Sequence, residues 1–360
     1  MSGPLASRIN PARGLIAVHN EQAYGQYSTA FGVLTTGFQG LSTNALQHLG
    51  LLEIQPQWDF EQTPKTFSPG FSRIQEGKPS KRWYDVPLVF DIRAEDANGS
   101  GYLSFEPLLA AAGLTGGGGP DPVYTPQYLS PSGHSSFAFS AWLDNYIRLI
   151  GTGAVVETFE IAFVANQYVR ATVSAKALYR DDQLQEGIPA PGGQIPLTGT
   201  PLWTPETSCP ISGAQANFMG TLPVNALEPI SAMLTITNVV EEIEVLGSDL
   251  YGACDIRGGI KEFRISEQDI NLVCKFYKTW DDDDWNDVVA AFENGDRIGF
   301  TVRVGNAPNL VAMEVFGQIT ALNEGVEKGQ QTVEVEIEGT FPKDGTGGNQ
   351  FPLFLKFGNH

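Results

Sequence analysis

Residues 187 to 213 read GIPAPGGQIPLTGTPLWTPETSCPISG, with Pro189, Pro191, Pro196, Pro201, Pro205 and Pro210 spaced too closely for a helix or a central strand to pass through. The segment is expected to connect two halves, residues 1–186 and 214–341, with residues 342–360 left as a C-terminal arm. A single long surface loop inside one domain is the alternative reading.

The same order of elements is expected on either side of this connection. In the first half, residues 15–21 and 83–93 read as strands, 104–114 (SFEPLLAAAGL) as a short helix, and SFAFSAWL, TFEIAFVA and YVRATVSAKALYR as further strands. In the second, AMLTITNVVEEIEVL and LVCKFYKTW read as strands, 283–295 (DDWNDVVAAFENG) as a helix, and RIGFTVRVG, LVAMEVFGQITAL and QTVEVEIEGTF as strands. Alternation is clearest near the end. Val333, Val335 and Ile337 fall on one face, and Thr332, Glu334, Glu336 and Glu338 on the other. The first-half counterpart sets Val169, Ala171, Val173 and Ala175 against Tyr168, Arg170, Thr172 and Ser174. Residues 22–82 lack sustained periodicity and are expected to be a long loop. The arm joins a Gly-rich hinge to FPLFLKF, an apolar segment that needs a surface to cover it, its own or a neighbour's.

The chain carries 41 Asp plus Glu against 22 Lys plus Arg, a formal charge of -19, so tight binding to a phosphate backbone is not expected. Three cysteines, Cys209, Cys254 and Cys274, have no C-x-x-C spacing and suit free thiols in a reducing compartment. The N-terminal MSGPLASRINPARG has no continuous apolar stretch and no run of 18 apolar residues occurs, so neither a secretion signal nor membrane insertion is expected.

The most reactive-looking stretch is WDDDDWND at 280–287. A calcium loop can be laid in part on Asp282, Asp284, Asn286 and Glu293, but Asp287 stands where the turn needs glycine. Trp285, Val288, Val289 and Phe292 instead form one helical face, and Asn294-Gly295 supplies a stop, so Asp283 or Asp284 is expected to cap a helix. His19, His48, His134 and His360 are dispersed without metal-ligand spacing. SGHSS at 132–136, with Asp144 nearby, lacks a nucleophile elbow. The glycines at 116–119 are not followed by the lysine and hydroxyl of a phosphate loop, GTG at 151–153 is too short for a dinucleotide site, and acid pairs such as Glu241 and Glu242 are common in so acidic a chain. No catalytic residue, metal or cofactor is assigned.

Several segments together resemble the tail tube (major tail) proteins of long-tailed bacteriophages. Glu21, Tyr24 and Gly25 in HNEQAYGQ match the acidic residue and Tyr-Gly pair that follow an early strand in that family. Leu108, Leu109, Ala111, Gly113 and Leu114 match its LL-x-A-x-GL helix, ahead of a glycine-rich stretch and YTP at 124–126, and DNYIRLIGTGAVVETFEIAF at 144–163 is similar to its strands around a Gly-rich turn. The resemblance implies a mostly β fold of two tandem tail-tube-type β-sandwich or barrel domains, each with a short flanking α-helix. It also implies a structural virion protein, assembled in the bacterial host cytoplasm, whose rings stack into a tube for genome ejection. Trimeric pseudo-hexameric rings are preferred to hexamers of one elaborated domain. The implied partners are further copies of the chain, a tape measure protein in the lumen, and tail terminator and distal tail proteins, with DNA passing unheld and no membrane involved.

On that reading the face bearing Glu334, Glu336 and Glu338 is the candidate lumen lining, because an acidic wall repels phosphate. Tyr24, Phe351, Leu353 and Leu355 are candidate contacts between subunits or rings. Alternatives are another β-rich virion part, such as a capsid decoration or baseplate protein, and, less favoured, an enzyme acting on polysaccharide.

Overall fold

The computed structural model describes residues 14–21, 47–48, 51–54, 57–67, 74–92, 103, 105–116, 121–127, 135–143, 147–165, 167–178, 185–186, 216–220, 228–244, 260–278, 283–306, 309–340 and 351–358. The first half supplies β1 (Gly14–Asn20), β2 (Gln47–His48), β3 (Leu51–Ile54), β4 (Gln57–Phe67), β5 (Ile74–Asp91), α1 (Glu106–Ala111), β6 (Leu114–Gly116), β7 (Val123–Pro126), β8 (Phe137–Leu143), β9 (Ile147–Val164), β10 (Arg170–Leu178) and β11 (Gln185–Glu186). The second supplies β12 (Ala216–Gly220), β13 (Glu228–Glu244), β14 (Ile260–Tyr277), α2 (Asp283–Asn294), β15 (Arg297–Asn306), β16 (Asn309–Glu327), β17 (Gln330–Gly339) and β18 (Leu353–Phe357). The fold is mostly β, and the strand pairings among the described residues are antiparallel.

The two halves share one pairing pattern. In the first, β1 pairs β8, β8 pairs β9, β9 pairs β10, β10 pairs β5, and β5 pairs β3 and β4. In the second, β12 pairs β15, β15 pairs β16, β16 pairs β17, β17 pairs β14, and β14 pairs β13. Each half carries its helix between corresponding strands, and each carries a bulge at the same place. Glu157 is passed over between the pairs Ala175↔Val156 and Ser174↔Thr158. Thr320 is passed over between Ile337↔Ile319 and Glu336↔Ala321. With the bulges superposed, Thr158, Phe159 and Phe163 correspond to Ala321, Leu322 and Val326.

The halves also join. Along one edge of β9, β8 occupies residues 147–154 and β13 occupies residues 158–164, in the register Ser231↔Val164 to Thr237↔Thr158. The C-terminal strand β18 lies between β16 and β7, with Leu355 opposite both Met313 and Tyr124. A large apolar cluster runs through both halves and takes in Leu108 and Leu109 of α1, Trp285 and Val288 of α2, and Leu353, Leu355 and Phe357 of β18, and a smaller one joins Val155 and Leu178 to Ile260, Phe263 and Ile265.

Several expectations change. Residues 22–82 hold strands as well as loop: β4 and the start of β5 form a hairpin running to Phe67↔Ile74. Pro64, Gly77 and Pro79 mask it in the sequence, and β4 accepts its proline because its outer side pairs no described strand. At α1 the N-cap is Phe105, followed by a proline in the first turn, and no side chain caps it; Ser104 lies outside the described residues. In α2 Asp283 and Asp284 are themselves the first helical residues and not a cap ahead of the helix; Asp282 lies outside the described residues. The helix buries Trp285, Val288 and Ala291 while Phe292 is exposed, since a spacing of three turns the stripe away from Phe292. Gly295 ends it at φ +66, and the Asp296 N–H reaches back to the Ala291 carbonyl. The connection at 187–213 lies outside the described residues, apart from which only the pair β11 and β9 is seen near its start.

Candidate functional site

Seven strands, β5, β10, β9, β13, β14, β17 and β16, follow one another across both halves. Alternation gives this array one core face, lined by Leu88, Val173, Phe159, Ile236, Ile270, Leu272 and Ile337, which are buried. Its opposite face is mostly polar, with Val89, Ala162, Met233 and Val273 among its residues. Cross-strand rows on that face run Val89, Thr172, Glu160, Thr235, Asn271, Glu338, and Asp91, Arg170, Ala162, Met233, Val273, Glu336.

Glu334 and Glu336 are half-buried and Glu338 is exposed, so the three expected carboxylates do share one face and sit in its second half. Their neighbours could not be read from the sequence. Glu336 accepts from the Asn271 side-chain amide. Lys275, opposite Glu334 in register, turns its ammonium to Glu327 at 2.7 Å. That hydrogen bond raises the Lys275 pKa and lowers the Glu327 pKa from their ordinary values. In the first half Arg170 stands 3.7 Å from Asp91, and Lys176 2.9 Å from Glu157. The face thus carries local ion pairs within a surplus of carboxylates.

At the end of this array lies a strand edge that no described strand covers. β15 pairs residues 309–318 of β16, and beyond that point the same edge of β16 meets no described strand. Val326 there is 73% exposed, whereas the corresponding Phe163, beneath β13, is 2% exposed.

No family model matches the chain, and no curated protein matches it. Among solved structures it is similar to the SPP1 tail tube, determined by solid-state NMR and cryo-EM, at 15% identity over 42% of this chain and 80% of that one. The TM-score is 0.25, too low for the likeness to place the fold.

Of the other expected contacts, Leu353 and Leu355 are fully buried in the chain's own core, so neither is free to meet a neighbour. Phe351 is half-buried against Phe354, with ring centroids 5.9 Å apart. Tyr24 lies outside the described residues. FPLFLKF therefore finds its covering surface within the chain. Ser136 of SGHSS donates its hydroxyl to Glu21, whose other carboxylate oxygen accepts the Gly153 N–H at 2.9 Å. This pins the end of β1 to Gly153, which lies within the continuous strand β9 at its irregularity opposite β8 and not in the turn expected there. Among the described residues no three His, Cys, Asp or Glu stand together as metal ligands; Asp281 and Asp282 are not among those residues. No helix among the described residues is long and apolar enough to cross a membrane.

A polar cluster at the junction of the halves was missed in the sequence. Asn238 Nδ2 donates to the carbonyls of Val156 at 2.9 Å and Ala112 at 3.1 Å, and Gln268 Nε2 donates to Ala112 at 2.7 Å and to Asn238 Oδ1 at 3.1 Å. The signal was present: Asn238 continues the inward phase of Ala232, Leu234 and Ile236.

Proposed function

We propose that this chain is a structural virion protein that self-assembles into rings stacked as a phage tail tube. Each subunit contributes two tandem tube-type repeats, and three subunits make a pseudo-sixfold ring. The observation that carries the reading is the repeated pairing pattern, with a bulge at the same place in each half, continued by β13 into one sheet that ends in an edge no described strand covers. Closed rings are a way to remove such edges, which otherwise pair indiscriminately. The resemblance of residues 105–126 to the tail tube helix segment supports the same assignment.

The polar sheet face, with Glu334, Glu336 and Glu338, suits a lumen through which DNA passes without being held. Carboxylates repel phosphate over a screening length of about 8 Å at physiological salt. A tape measure protein would occupy the lumen before ejection, and terminator and distal tail proteins would cap the ends.

Electron microscopy of the purified protein tests the proposal. Stacked rings with an open channel are expected; a monodisperse monomer at high concentration would overturn it, and isolated rings that never stack would favour a decoration or baseplate role.

A further inference from the structure

We infer that the open edge of β16, residues 319–327, is completed by the β3–β4 edge of a second copy of this chain. The inference rests on the proposed ring and specifies the edges and register that close it.

The template is internal. On β9, the stretch that β8 leaves uncovered is occupied by β13. The corresponding stretch of β16, left uncovered by β15, meets no described strand. The first-half counterpart of β13 is fixed by the hairpin partner, because β13 pairs β14 as β3 and β4 together pair β5. With Asp85 corresponding to Asn271 through their shared positions on β5 and β14, Gln57 corresponds to Thr235 and Ile54 to Ala232. Among the described residues, β3 and β4 pair only with β5. Among the described residues each chain therefore offers one uncovered β16 edge and one uncovered β3–β4 edge, on opposite sides of the array. Edges of that kind join head to tail, and the contact closes into a ring when the rotation per repeat allows.

Copying the register of β13 on β9 sets residue pairs. Thr235↔Glu160 becomes Gln57↔Asn323, Ala232↔Phe163 becomes Ile54↔Val326, and Ser231↔Val164 becomes Glu53↔Glu327. The second pair places an apolar residue opposite Val326, the most exposed large hydrophobic residue described. The third sets two carboxylates opposite each other, but Glu327 is already held by Lys275 at 2.7 Å. Three such junctions between chains would alternate with the three β13–β9 junctions within them.

The test uses full-length protein with Cys209→Ser and Cys254→Ser, carrying Gln57→Cys and Asn323→Cys, treated with a short bismaleimide and followed by denaturing electrophoresis, with electron microscopy on the same sample. A control pairs Thr63→Cys with Asn323→Cys, about 20 Å out of register at 3.3 Å per residue. The expected result is a ladder ending at the trimer from the in-register pair, with at least a tenfold weaker ladder from the control. Rings or tubes without that ladder, or equal ladders from both pairs, would overturn the register and leave the tube reading standing. Absence of any assembly would remove both.

Discussion

Asn238 donates its side-chain amide to the carbonyl of Val156 at 2.9 Å, a second-half residue closing the backbone of a first-half strand where the bulge in β9 begins. The same amide also reaches Ala112, the C-cap of α1, at 3.1 Å. Asn238→Ala takes this donor from the Val156 carbonyl, while the Ala112 carbonyl keeps Gln268, and should lower stability by about 1–3 kcal/mol. Urea unfolding would measure it. Because Gln268 shares both Ala112 and Asn238, the double variant Asn238→Ala, Gln268→Ala should cost less than the sum of the single changes.

Leu355 is wholly buried between Met313 and Tyr124. Leu355→Ala should cost about 2–5 kcal/mol in the monomer, the ordinary cost of a core truncation with its residual cavity. Phe351→Ala, at a half-buried position, should cost less. Thermal melts of unassembled protein would rank the two, and equal small effects would return the tail to the role of a joint between rings.

Tyr124 places its hydroxyl in the core with no hydrogen-bond partner among the described residues, and burial pushes its pKa upward, with Glu106 adding to the effect. Tyr124→Phe removes an unsatisfied group without opening a cavity and should be neutral or stabilising by up to about 1–3 kcal/mol. A clear loss of stability by calorimetry would show that the hydroxyl has a partner.

Burial also raises the Glu106 carboxyl above its ordinary value. Between the ordinary and the raised value the native state holds more protons than the unfolded chain, so this group's contribution to stability falls as pH rises through that window. Glu106→Gln should therefore match the wild type in acid and exceed it at neutral pH. Melting temperature against pH for both proteins reads the difference directly.

Cys274 is fully buried on β14, with its thiol pKa raised by burial. In the Cys209→Ser, Cys254→Ser background, maleimide should label it only as fast as the protein unfolds. Rapid labelling of folded protein would mean that β14 opens locally.

Period-two alternation marked most of the strands, because those with one buried face display it: β10 and β17 are legible residue by residue. The hairpin of β4 and β5 escaped because an edge strand tolerates proline and polar residues. Glu334, Glu336 and Glu338 were legible as a face. Their setting with Lys275 and Asn271 was not, since cross-strand register depends on residues about sixty positions away in the chain. The same limit hid the edge of β16. That edge is recognised by what a distant strand does on β9, and no local pattern in residues 319–327 announces it.

The place of β18 sets an order of events. It leaves the ribosome after every strand it pairs with, yet it bridges β16 and β7, whose residues Met313 and Tyr124 flank Leu355. Until it arrives, β7 lacks its β18 neighbour and the apolar floor around Phe105 and Tyr124 lacks Phe357, whose ring lies 5.4 and 6.0 Å from theirs. Such long-range closure is slow compared with hairpin formation. A nascent chain thus keeps this part of its core unfinished until β18 is delivered, and growth of any assembly waits on synthesis through β18 rather than on subunit concentration alone.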